Sequence, residues 1–122
     1  SRFAVSNESS AHENFKNAIV QAAENDTMLT LKELAPVRLL KNPFYDKIFG
    51  AYEKGVTVEE LKSLLGRGRA KKGIFEGDLI EGELEIGQVS AQIEDVKSVK
   101  AIMEDLITQY QDVKNNISNF DF

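Results

Sequence analysis

The chain has 122 residues, 42% of them apolar and 29% charged, which suffices for one buried core and argues against two domains. Twenty acidic against fifteen basic side chains leave a net charge of −5, the wrong sign for the broad phosphate attraction of a nucleic-acid binder. With no cysteine and one histidine, disulfides, thiolate metal sites and a multi-histidine zinc site are excluded, and no apolar run approaches the roughly 20 residues of a membrane span.

These bounds read as a soluble, cytoplasmic protein with neither nucleic acid nor membrane as a partner. Residues 1–122 are expected to form a single domain, and the α+β class fits best, mostly helical with a small antiparallel hairpin. Arg2-Phe3-Ala4-Val5 reads as a strand without a neighbour, and Ser1 stands where a methionine would begin a chain, so a fragment or processed piece is expected. Ser10 and Glu13 have the spacing of a capping box, and Phe15, Ala18, Ile19 and Ala22 make one helical face that Asn25-Asp26 closes.

From Thr27 to Leu40 the composition suits two short strands, Thr27–Leu31 and Pro36–Leu40, paired as a hairpin. Asn42-Pro43 is a strong helix start, because asparagine caps free amides and proline loses nothing at the first helical position. That helix is expected to reach Glu53 and to bury Phe44, Ile48 and Tyr52, with Lys54-Gly55 ending it. Thr57 and Glu60 form a second capping box, before a short helix that buries Val58, Leu61, Leu64 and Leu65 and stops at Gly66.

Arg67 to Gly73 could be a phosphate-facing loop of glycines and cations, but it lacks P-loop spacing; a solvated basic turn entering a short helix through Ile74 and Phe75 is favoured. Gly77-Asp78 and Glu81-Gly82 read as turns. Val96, Val99, Met103, Leu106, Tyr110, Val113 and Ile117 then recur at steps of three and four, a heptad-like stripe widened by Ile102 and Ile107. Packing of this stripe on the domain's own core is favoured over a self-associating zipper, and residues 117–122 are expected to be a frayed tail.

Three sets of residues could carry chemistry. His12 is the natural acid or base, yet it lies in a first helical turn, where the helix field disfavours an imidazolium, so a structural or surface role is favoured. Asp78, Glu81, Glu83 and Glu85 match no calcium loop and read as a solvated acidic turn. Gly87-Gln88 is different in kind: glycine permits close backbone approach, and the amide can donate to and accept from a planar heterocycle.

Ser1-Arg2-Phe3, the run Glu8-Ser9-Ser10-Ala11-His12-Glu13-Asn14-Phe15-Lys16, Asp26-Thr27-Met28, Val37-Arg38-Leu39-Leu40-Lys41-Asn42, Gly77-Asp78 and Gly87-Gln88 occur in this order over nearly the whole chain. Together they resemble the C-terminal part of the nitronate monooxygenases, the 2-nitropropane dioxygenase-like family that also holds flavin-dependent enoyl-ACP reductases. The resemblance implies an FMN-binding (β/α)8 barrel, of which this chain would be the inserted small domain and the last barrel elements. It implies that Ser1 and Arg2 lie at the FMN phosphate, serine standing where the family has threonine, and that Gly87 and Gln88 lie near the flavin and substrate pocket.

Glu85-Ile86 stands before them where relatives carry smaller or hydroxyl residues. His12 matches a helix-entry histidine and not the catalytic one, so no catalytic residue and no metal ligand is expected here. The full-length protein would oxidise a nitronate with dioxygen, or alternatively reduce an enoyl thioester, and the fragment alone would be inactive and could form a homodimer through exposed apolar surface. The competing reading is a non-enzymatic helical module that docks a partner protein on its last helix.

Overall fold

The structure, a computed structural model, describes residues 1–121. Its helices are α1 (Glu13–Gln21), α2 (Pro43–Glu53), α3 (Val58–Leu65), α4 (Arg69–Ile74) and α5 (Val99–Ser118). Two 3-10 turns, Phe3–Val5 and Gln88–Gln92, lie near the start and before α5, and the strands are β1 (Thr27–Thr30) and β2 (Val37–Leu40). The expected mostly helical architecture with one antiparallel hairpin is therefore present.

Arg2 to Ser6 is a 3-10 turn and not a strand. Among the described residues no strand meets this segment, so its backbone is satisfied locally: the Val5 amide donates to the carbonyls of Ser1 and Arg2, and the Ser6 amide and hydroxyl both donate to Phe3 O. The start of α1 also differs from the expected Ser10 box. His12 is the N-cap, its Nδ1 accepting from the Asn14 amide at 3.0 Å, and the helix ends at Gln21 rather than at Asn25.

Strand β1 pairs antiparallel with β2, Thr27 opposite Leu40 and Thr30 opposite Val37. The connection begins at Leu31, a buried leucine with φ 56°, a left-handed conformation that costs an L-residue of order 1–3 kcal/mol and is held by its burial. The far edge of β2 is covered by residues 84–86, with Leu39 bridging Glu85 and the Leu40 amide donating to Leu84 O at 2.8 Å.

This three-ribbon arrangement separates two apolar clusters, because alternate residues of a strand face opposite sides. Leu40 and Leu84 join Val5, Phe15, Ile19 and Ile93 on one side, while Leu39 joins Leu31, Phe44, Ile48 and Leu61 on the other. The second cluster is closed by the expected helices. Asn42 caps α2 through the Tyr45 amide with Pro43 in its first turn, and Thr57 and Glu60 form a complete capping box on α3. Gly55 and Gly66 end these helices with φ of 74° and 64°, values that glycine adopts without strain.

The stripe of α5 does not pack on the core as expected. Ile102 is buried at 4% exposure, but Tyr110 is 67% and Ile117 70% exposed, and Val99, Met103, Leu106, Ile107 and Val113 are exposed as well. Val96 precedes the helix and is partly buried in the first cluster. The start of α5 is fixed by polar contacts: Ser98 caps the Ala101 amide, the Glu8 carboxylate accepts from the Val99 amide at 2.8 Å, and the Asn7 amide donates to Lys97 O. Helix α5 also runs through Ile117 and Ser118, inside the tail expected to fray from residue 117, while Phe122 lies outside the described residues.

Candidate functional site

The four residues singled out as cofactor contacts come from opposite ends of the chain. Ser1 and Arg2 are carried by the first 3-10 turn, and Gly87 and Gln88 open the second. Leu84 and Ile86, facing the first cluster, fix where residue 87 emerges, and the Asn7–Lys97 bond fixes the N-terminal segment beside it. The result is an abutment: a Cβ placed on Gly87 would lie 3.2 Å from the Ser1 hydroxyl oxygen. A methyl group at 87 would require the exposed Ser1 hydroxyl to give by a few tenths of an ångström, and a larger side chain would crowd it further, so glycine here serves close approach.

Arg2 is exposed. It borders two open cavities. One, about 340 Å³, lies between Ser1, Phe3, Val89, Gln92 and Leu106; the other, about 300 Å³, lies among Glu94, Asp95, Lys97, Ile102 and Asp105. In the second, Lys97 Nζ sits 2.8 Å from Asp105 and 3.9 Å from Asp95. The hydrogen bond from Lys97 holds the Asp105 carboxyl below its ordinary pKa, and the same bond raises that of Lys97. Gln88 is exposed and borders neither cavity.

A hydroxyl, a guanidinium and a backbone that can be closely approached are the donors an anionic group requires. Ser1, which abuts Gly87, and Arg2, which shares a cavity wall with Ser1, are of the kinds that one edge of a phosphate site would need. Beside them Ser90 is fully buried, and its hydroxyl has no partner among the described residues. Position 90 was not singled out from the sequence, and a lone serine among apolar neighbours carries no motif that would have found it.

His12 acts as a cap and a packing surface. A Cβ on Gly77 would collide with the imidazole, and Asn14 Nδ2 donates to Gly77 O at 3.0 Å, so the ring is the wall against which the Gly77 turn closes. The imidazole Nδ1 is already engaged as the acceptor of the Asn14 amide.

The basic run is solvated as expected at Arg67, Lys71 and Lys72, and Glu85 is exposed too, but one residue of each stretch departs from that reading. Helix α4 does begin within the basic run, but Arg69 is not a surface cation: Nε donates to Leu65 O, Nη2 to Leu64 O, and Nη1 to both Glu81 O and Glu81 Oε2. Its guanidinium also lies 4.5 Å from the centre of the Phe44 ring. Glu81 pairs with Lys47 at 2.6 Å and with Arg69 at 3.0 Å, and these bonds, that of Lys47 first, lower its pKa.

Asp78 accepts the amides of Ile80 and Glu81, as its turn position requires. Glu83 departs from the solvated reading: it is 7% exposed, and burial followed by the charge of Glu85 raises its pKa. Asn42 has a second role invisible in its capping signal, since Nδ2 donates to Leu79 O and Gly82 O, both at 2.9 Å, and fastens this loop to α2. None of the described helices is long and apolar enough to cross a membrane.

The family model for nitronate monooxygenase matches residues 1–109. No curated protein matches the chain. Among solved structures, FabK from Thermotoga maritima superposes with a TM-score of 0.84 at 29% identity, covering 98% of this chain and 38% of that one. A mutant of the same FabK superposes with a TM-score of 0.79, again at 29% identity, over 98% of this chain and 35% of that one. The chain thus spans little more than a third of the length of these relatives. With a model match across most of its length, it belongs to the nitronate monooxygenase family of flavin-dependent oxidoreductases.

Proposed function

We propose that residues 1–122 are the C-terminal domain of an FMN-dependent oxidoreductase built on a (β/α)8 barrel, and that the full-length protein oxidises nitronates with dioxygen. The observation that carries this reading is the abutment of Ser1 on Gly87, which joins two distant family segments at one exposed edge. There the Ser1 hydroxyl and Arg2 guanidinium hold the flavin phosphate, and Gly87-Gln88 forms part of the pocket wall. FMN, when bound, would supply the two-electron acceptor between substrate and dioxygen.

This chain contributes binding and enclosure. On this reading the catalytic base comes from the rest of the full-length protein, and the chain alone is inactive. The exposed stripe of α5 gives the isolated chain a means of pairing with a second copy. Light scattering after size exclusion is expected to show a homodimer, and a clean monomer at high concentration counts against that pairing.

A second reading, a flavin-dependent enoyl-ACP reductase, is favoured by the two FabK superpositions. Both readings predict a yellow full-length protein. Oxygen uptake on adding a nitronate, without a nicotinamide donor, supports the first; nicotinamide oxidation that depends on an enoyl thioester supports the second. A colourless protein that cannot be reconstituted with FMN defeats both.

A further inference from the structure

Segment 83–86 covers the edge of β2 with its side chains alternating between the two clusters. Leu84 and Ile86 face the cluster around Phe15. The bridge between Leu39 and Glu85 puts the odd-numbered positions on the other face, with Leu39 and its cluster, and these positions are both glutamates. Two carboxylates therefore stand on a face where Leu31, Leu34, Val37 and Leu65 supply the other walls of an open cavity of about 370 Å³.

Glu83 as a residue is more than nine-tenths buried there, while its carboxylate oxygens keep a little exposure to solvent and receive no hydrogen bond or ion pair from any described residue. The cation whose charge acts on it is Arg69, whose three guanidinium nitrogens are already committed to Leu64, Leu65 and Glu81. The remaining charged neighbour is Glu85, of like sign, so the native contacts leave this carboxylate destabilised.

We propose that this cavity is a binding site for a small amphiphilic amine, its ammonium group paired with Glu83 and Glu85 and its hydrocarbon chain against Leu31, Leu34, Val37 and Leu65. The volume lies near the lower end of the range for small-molecule pockets, about 300–1,000 Å³, and such sites join apolar walls to a few placed polar groups. A hard divalent cation is a poor match, since it requires six or more oxygen ligands and the walls here are carbon. A neutral apolar ligand would leave Glu83 more deeply desolvated and still unpaired, whereas an ammonium supplies the missing countercharge. The site is separate from the proposed phosphate edge, for neither Ser1, Arg2 nor Gly87 lines it.

The test is a titration of the full chain with hexylammonium, hexanol and hexanoate, followed by amide chemical shifts. Hexylammonium is expected to saturate shifts in residues 31–37 and 83–85, with hexanol at least about tenfold weaker and hexanoate without effect. Glu83→Gln and Glu85→Gln, each with an otherwise unchanged spectrum, are expected to weaken hexylammonium selectively and to leave hexanol unchanged. Hexanol binding as tightly as the amine to the wild-type chain overturns the proposal, as does a Glu83→Gln variant with undiminished amine affinity, or the absence of saturable amine binding.

Discussion

Helices α2 and α5 both carry apolar side chains at helical spacing, but α2 buries Phe44, Tyr45 and Ile48 whereas α5 buries Ile102 alone. The difference lies in their surroundings. Hairpin residues Leu31 and Leu39, α3 through Leu61, and the Arg69 guanidinium all converge on the face of α2. Helix α5 is met near its start by Ile93 and the Lys97 ion pair, and its residues from Tyr110 onward face solvent. Periodicity identifies a face that can be buried; whether it is buried depends on elements distant in sequence.

The comparison is broken most directly by truncating one side chain from each helix. Phe44→Ala removes a fully buried ring and the surface under Arg69, and is expected to cost about 3–5 kcal/mol in urea unfolding. Val113→Ala, on the exposed part of α5, is expected to change stability by no more than about 0.5 kcal/mol. Equal costs would mean that α5 is covered in solution, as a homodimer would require.

A smaller effect separates the cap of α2 from its attachment to the loop. Asn42→Ala loses the cap on Tyr45 and both bonds to Leu79 and Gly82, an expected loss of about 2–4 kcal/mol. Asn42→Asp keeps an acceptor for the cap but has no donors for the loop, and is expected to fall between Ala and wild type. If Asp matches wild type, the loop contacts contribute nothing.

The smallest effect concerns Glu83 and carries a sign in pH. Because burial raises its folded pKa, the unfolded chain ionises first, and stability falls as pH climbs from the ordinary glutamate value of about 4.3 to the folded value, then levels off. Glu83→Gln removes this loss. Its melting temperature is expected to exceed wild type at pH 7 and to equal it near pH 3.5, below both pKa values; a variant less stable at pH 7 would show that the carboxylate is paired.

The local signals in the sequence were sufficient for the hairpin, the Asn42-Pro43 start, the Thr57–Glu60 box and the glycine stops at 55 and 66, because each is decided within a few residues. Arg2–Ser6 has the composition of a strand but folds as a turn, since a strand needs a partner that no local pattern can supply. Arg69 and Glu83 were hidden for a related reason. Arg69 owes its burial to Phe44 and Glu81, and Glu83 to the pairing of residues 84–86 with β2, contacts that only the folded chain creates. At the candidate phosphate edge, Ser1 and Gly87 were legible as separate motifs, while their contact, and the buried hydroxyl of Ser90 beside them, were not.

The central claim is that the Ser1–Arg2 turn and Gly87 form one edge of a flavin phosphate site, and flavin content of the full-length polypeptide tests it most directly. The wild-type protein is expected to bind about one FMN per chain, as a stoichiometric flavin site requires, with Gly87→Leu and Arg2→Ala each weakening FMN by at least about tenfold while the fold is retained. Undiminished FMN affinity in both folded variants, or a wild-type protein that binds no flavin at all, would contradict the account.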